Sequence, residues 1–83
     1  MNTISIFTAN QGNSPYYFMH NGQTIYLYET GQTSAPYYFN FESQLIHLYA
    51  TKQTNAPYYF NLNGKTVYLY ETRQANAPFY FTL

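Results

Sequence analysis

Residues 57–72 read PYYFNLNGKTVYLYET, and the reading of this stretch decides the fold. Tyr58, Tyr59 and Phe60, and then Thr66, Val67, Tyr68, Leu69 and Tyr70, are mostly aromatic or β-branched. Such residues fit a pleated, half-buried surface. Asn63-Gly64 stands between the two runs. Both central residues of a type I′ turn need positive φ, and Asn-Gly adopts it most readily. Pro57 opens the first run, at a strand start, where its missing N–H costs least. The stretch therefore predicts a β-hairpin closed by a two-residue turn.

The same hairpin recurs along the chain. Pro15, Pro36, Pro57 and Pro78 are spaced 21 residues apart, and each opens the phrase PYYF or PFYF. A fixed period of this kind marks a repeat architecture. Asn21-Gly22 repeats the turn signal, whereas Glu42-Ser43 fills the slot in the next unit and predicts a looser or wider loop there. The units are 15–35, 36–56, 57–77, and a fourth made of 78–83 plus 1–14. In that fourth unit Ile4, Ile6 and Phe7 align with Ile25, Leu27 and Tyr28. The chain thus begins on a second strand and stops on a first one. A closed ring accounts for this offset, because the first and last strands can pair and leave no free edge. The expected fold is a single all-β domain, residues 1–83. Four tandem 21-residue hairpins close into a pseudo-four-fold, eight-stranded ring or barrel. Barrel and pinwheel geometries both fit the pattern.

A two-residue turn sets the register, so His20 faces Gln23, Phe18 faces Ile25 and Tyr16 faces Leu27. Period-two alternation then sorts the faces. One face carries Tyr16, Phe18, Ile25 and Leu27, with Tyr37, Phe39, Ile46 and Leu48 in the next unit. Tyr58, Phe60, Val67 and Leu69 follow, then Phe79, Phe81, Ile4 and Ile6. Phe41, Leu62 and Leu83 extend this face. It is apolar throughout and is the expected core. The opposite face carries Tyr17, Tyr26, Tyr28, Tyr38, His47, Tyr49, Tyr59, Tyr68, Tyr70 and Tyr80, with Ser5 and Phe7 in the fourth unit. It is aromatic, but tipped with hydroxyls and amides.

Composition narrows the function. Twelve Tyr and seven Phe stand beside no Cys, no Trp and two His. The absence of Cys removes disulfides, zinc-thiolate sites and thiol catalysis together, and two His are too few for a metal cluster. Neither a metal nor another cofactor is expected. The charged residues Glu29, Glu42, Glu71, Lys52, Lys65 and Arg73 cancel. Nucleic-acid binding needs Lys and Arg to displace counterions, a footprint this chain lacks. No long apolar run predicts membrane insertion. The N-terminal residues do not resemble a signal peptide, so a cytoplasmic location or a non-classical release is expected. Low net charge favours association, which makes a homo-oligomer a further expectation. Glu29 and Glu71 fill one unit position, but Ala50 and Thr8 replace them in the other units. No pair of acids converges, and no phosphate loop or nucleophile triad is visible. The reading is a non-enzyme.

Two sets of residues could carry binding. Tyrosine offers a rigid π-face and a hydroxyl at low conformational cost. Set among Asn, Gln and Thr, such faces suit neutral glycans, whereas anionic ones call for Arg or Lys. Cross-strand Tyr pairing that merely stabilises the sheet is the alternative. The second set is Gln11, Gln32, Gln53 and Gln74, present in every linker while neighbouring positions change. A buried loop amide could tie down the backbone. An amide at four equivalent places could equally contact four ligands. Asn13, Ser34, Asn55 and Asn76 fit turn chemistry. The expected function is a multivalent carbohydrate-binding protein with up to four similar weak sites. The alternative is an assembly module whose tyrosine-rich face forms an oligomer interface.

The phrase PYYFNLNGKTVYLY resembles the short repeats of choline- and glucan-binding cell-wall modules, best over Tyr58–Gly64. That resemblance implies hairpin repeats and aromatic ligand cages. TVYLYE is similar to the strand that opens a βγ-crystallin Greek key. In architecture the chain is similar to small microbial and fungal tandem-repeat lectins, which implies one sugar site per unit.

Overall fold

In a computed structural model describing residues 3–82, the hairpin turns form as the Asn-Gly signals dictate. Asn21 and Gly22 take φ of 50° and 76°, and Asn63 and Gly64 take 53° and 77°. Glu42 and Ser43 depart from the expectation of a looser loop. Their φ values are 49° and 65°, and Phe41 pairs directly with Gln44. This is the same tight turn. The strands on either side fix the register through their buried residues, and two side-chain-bearing residues are held in the left-handed region to satisfy it.

Eight strands follow in chain order: β1 Thr3–Gln11, β2 Ser14–His20, β3 Gln23–Glu29, β4 Tyr37–Phe41, β5 Gln44–Ala50, β6 Tyr58–Leu62, β7 Lys65–Gln74 and β8 Ala77–Thr82. Each pairs antiparallel with its sequence neighbour, and β1 pairs with β8, closing a barrel. The hairpin ladders share one register, with Tyr16 opposite Leu27, Tyr37 opposite Leu48 and Tyr58 opposite Leu69. The two end strands reproduce it, with Ile6 opposite Phe79 and Ile4 opposite Phe81. Neighbouring hairpins are joined more sparingly. β3 meets β4 only through Tyr28–Tyr38 and Glu29–Tyr37, and β5 meets β6 only through Tyr49–Tyr59 and Ala50–Tyr58.

The inward-facing residues are those the alternation assigns. Phe18, Phe39, Phe60 and Phe81 are buried and form a closed tetrad about the barrel axis. Their neighbouring centroids lie 5.2–5.4 Å apart, with interplanar angles of 83–89°. Tyr16, Tyr37, Tyr58 and Phe79 form a second tetrad, with centroids 5.4–5.7 Å apart and angles of 77–84°. In each, the positive edge of one ring meets the negative face of the next, the arrangement aromatic quadrupoles prefer. Ile6, Leu27, Leu48 and Leu69 fill the barrel between strands, each 1% exposed. Phe41 and Leu62 are half-buried against this core; Leu83 lies outside the described residues.

At the end of the barrel away from the turns, the linkers fold over the strand starts. Ala35, Ala56, Ala77 and Ser14 are buried there at 0% exposure. Backbone bonds stitch three of the four linkers to the unit beyond: Ala50 N–H donates to Ser34 O at 2.7 Å, Thr8 N–H to Asn76 O at 3.0 Å and Glu71 N–H to Asn55 O at 3.3 Å. Backbone amides and carbonyls of an irregular segment are thereby paired. No helix among the described residues is long and apolar enough to cross a membrane.

Candidate functional site

The outward-facing alternate residues assemble into a girdle. Phe7, Tyr17, Tyr26, Tyr28, Tyr38, His47, Tyr49, Tyr59 and Tyr68 follow one another around the barrel with ring centroids 5.6–6.4 Å apart. Tyr70 and Tyr80 form a further pair at 5.8 Å. Every ring in the girdle is half-buried, so each keeps part of its surface towards solvent. The girdle is interrupted at Ser5, which stands opposite Tyr80 where the other units place Tyr26, His47 and Tyr68. His47 keeps the ring spacing, lying 6.0 Å from Tyr38 and 6.4 Å from Tyr49. Its Nδ1 is buried without a hydrogen-bond partner.

Gln11, Gln32, Gln53 and Gln74 are all exposed. They are therefore not buried amides tying down the linkers. That task falls to a residue the sequence reading passed over. Thr30, Thr51 and Thr72 each donate their hydroxyl to the carbonyl five residues on, at Ala35, Ala56 and Ala77. The same oxygens accept the backbone N–H of Gln32, Gln53 and Gln74, at 3.1, 3.1 and 3.3 Å. One hydroxyl thus serves two backbone groups, and the glutamine is fixed by its main chain while its amide stays in solvent. In the remaining linker Ala9 stands at the threonine position and Ser14 at the alanine position. The Ser14 hydroxyl bonds to the carbonyls of Leu27 at 3.3 Å and Tyr16 at 3.4 Å. The signal for this anchor was present in the sequence as Thr at the 21-residue period.

Shallow hollows lie along the girdle on the barrel wall, and in one of them the girdle meets a linker. One gathers Gln11 and Asn10 with Tyr17, Tyr26, Thr24 and Met19. Another runs along the β5–β6 seam past His47, Tyr49, Leu45 and Asn61, and a third along the β7–β8 seam past Tyr68, Tyr70, Thr66 and Thr82. Asn61 is held in place by the Thr66 hydroxyl, 2.9 Å from its Oδ1. The pit at the turn end, above the Phe tetrad and beside His20, Phe41 and Leu62, measures about 10 Å³. That is room for one water-sized sphere.

Glu29 and Glu71 are exposed at the linker end, opposite Tyr37 and Phe79 in the ladders. Burial, the neighbouring Tyr16 and Tyr58, hydrogen bonding with Tyr16, and the Glu29 carboxylate together push the Tyr37 hydroxyl up to about 12. Burial and Tyr16 push Tyr58 up as well. These phenols sit on the inner tetrad, apart from the outer girdle. Among the described residues, no three acidic or His side chains gather as a metal site would require.

No protein-family model matches the chain, and neither a curated protein nor a solved structure matches it.

Proposed function

We propose that the protein is a carbohydrate-binding module, a lectin with up to four similar weak sites for neutral glycans on the outer wall of the barrel. The observation that carries the reading is the hollow in which the exposed Gln11 meets the partly exposed faces of Tyr17 and Tyr26, set beside exposed Gln32, Gln53 and Gln74 at the equivalent places. A sugar ring presents C–H groups that pack on an aromatic face and hydroxyls that bond to neutral amides and phenols. Tyr17, Tyr38, Tyr59 and Tyr80 on the first strands, with Tyr26, Tyr28, Tyr49, Tyr68, Tyr70 and His47 on the second, supply the faces. Gln11, Gln32, Gln53 and Gln74 supply the polar contacts. Binding without catalysis is part of the proposal. Weak sites repeated around one barrel gain avidity on a surface that presents many glycan copies.

The test is Gln53→Ala. Because the Gln53 side chain is exposed and the linker hangs on Thr51, the variant keeps its melting temperature while its glycan titration weakens. An unchanged titration with a lowered melting temperature overturns the role given to the amide.

A second reading is self-assembly through the same wall. It is favoured by two exposed hydrophobic side chains there, Met19 at 49% and Leu45 at 56%. Each lies beside the aromatic girdle, so girdle and side chain together offer apolar surface to a second copy. Light scattering separates the two: a monomer across a wide concentration range removes the assembly reading.

A further inference from the structure

We propose that the tyrosine pairs at the hairpin seams, Tyr28–Tyr38, Tyr49–Tyr59 and Tyr70–Tyr80, are sites of oxidative dityrosine cross-linking that staples neighbouring hairpins together. The inference is independent of glycan binding and rests on geometry. The three pairs share nearly one arrangement, with centroids 5.7, 5.6 and 5.8 Å apart and ring planes 34°, 33° and 36° from parallel. Coupling joins ring carbons next to the phenolic oxygens, so it needs two tyrosine rings side by side with those edges in reach of each other. The tyrosine pairs within hairpins lie farther apart, at 6.0–6.4 Å, and a link there would bridge no seam. The inner tetrad is unsuited, because its rings stand nearly perpendicular, at 77–84°.

The location gives the cross-link a consequence. The β3–β4 and β5–β6 seams carry only two residue pairs each, and one of the two is the coupling tyrosine pair. The chain has no Cys, so disulfides cannot reinforce these seams. The rings are half-buried: exposed enough to surrender an electron to an oxidant at the surface, and held firmly enough to stay paired. The fourth seam is a natural control. Phe7 and Tyr17 lie at 5.6 Å and 34°, but Phe7 has no hydroxyl to oxidise.

The chemistry requires a two-electron oxidant, for which a haem peroxidase with hydrogen peroxide serves. Each tyrosine loses one electron and its phenolic proton to give a phenoxyl radical. The two radicals join through ortho carbons, and the hydrogens on those carbons move to the oxygens as the rings regain aromaticity. Net, two ring C–H bonds are lost and one C–C bond is formed. The two electrons and two protons reduce one peroxide to two waters.

The experiment treats dilute full-length protein with peroxidase and peroxide, then takes intact masses and fragment maps of the monomer. The expected result is loss of two hydrogens per link, up to three links, with Tyr28 joined to Tyr38, Tyr49 to Tyr59 and Tyr70 to Tyr80. Tyr38→Phe removes only the first link, Phe7→Tyr adds a fourth, and denaturant abolishes the pattern. Links found only between molecules, links spread over other tyrosines, or a pattern that survives denaturation would each overturn the proposal.

Discussion

Glu42 and Ser43 show what a single residue contributes and what it concedes. Both are held at positive φ, where the other tight turns use Asn and Gly. A side-chain-bearing residue in the left-handed region loses about 1–2 kcal/mol relative to its preferred conformation. Glycine at the second turn position removes most of that cost. Ser43→Gly is therefore expected to stabilise the protein by about 1 kcal/mol, seen as a melting temperature higher by about 4–8 °C. An unchanged or lower melting temperature would mean that the turn carries no strain. The inner phenols give a second test at this scale. Tyr37 is raised from its ordinary 10.0 to about 12, first by burial and then by Tyr16 and Tyr58, so the folded state favours the protonated form. That contribution is complete below pH 10 and is lost as the pH rises from 10 through 12. In alkaline unfolding curves, Tyr37→Phe is expected to lose stability less steeply than the parent over this window. Parallel curves would remove Tyr37 as a source of alkaline sensitivity.

At the scale of the hairpin, much of the structure was legible in the sequence. Asn21-Gly22 and Asn63-Gly64 fixed a two-residue turn, the turn fixed the register, and the register placed Phe18 and Phe60 inward, with Phe39 following by the 21-residue period. The conformation of Glu42-Ser43 was not legible from its own residues. It is imposed by flanking strands whose buried Phe39 and Ile46 allow one register. The linker glutamines drew attention because they persist in every unit, yet the anchor is the threonine at 30, 51 and 72. Threonine is an ordinary strand residue, and the reach of its hydroxyl to a carbonyl five residues on depends on the curve of the linker. The aromatic tetrads were legible only as an inward face. Their edge-to-face contacts join rings from different hairpins and exist only once the barrel has closed. The hollow that unites Gln11 with Tyr17 and Tyr26 likewise depends on how the linker lies beside the wall.

At the scale of the molecule, closure is the organising event. The β1–β8 ladder, from Thr3–Thr82 to Ile6–Phe79, is a hairpin whose connecting turn is not covalent. Joining the chain ends through an Asn-Gly pair and reopening the chain between Asn21 and Gly22 is therefore expected to give a permutant with the same fold. Its circular dichroism and cooperative melting should match the parent's; a molten or aggregated product would contradict the equivalence of that ladder with the covalent hairpins. Closure also turns the alternate tyrosines outward into one girdle around the wall, and the proposed function rests on that girdle. Its most direct test is a glycan-array screen of the purified, labelled protein, run beside a Tyr38→Ala, Tyr59→Ala double variant. Binding confined to one class of neutral glycans, and weakened in the variant, is the expected result. A blank array from well-folded protein would contradict it, and would move the girdle from a ligand surface to an interface between copies of the chain.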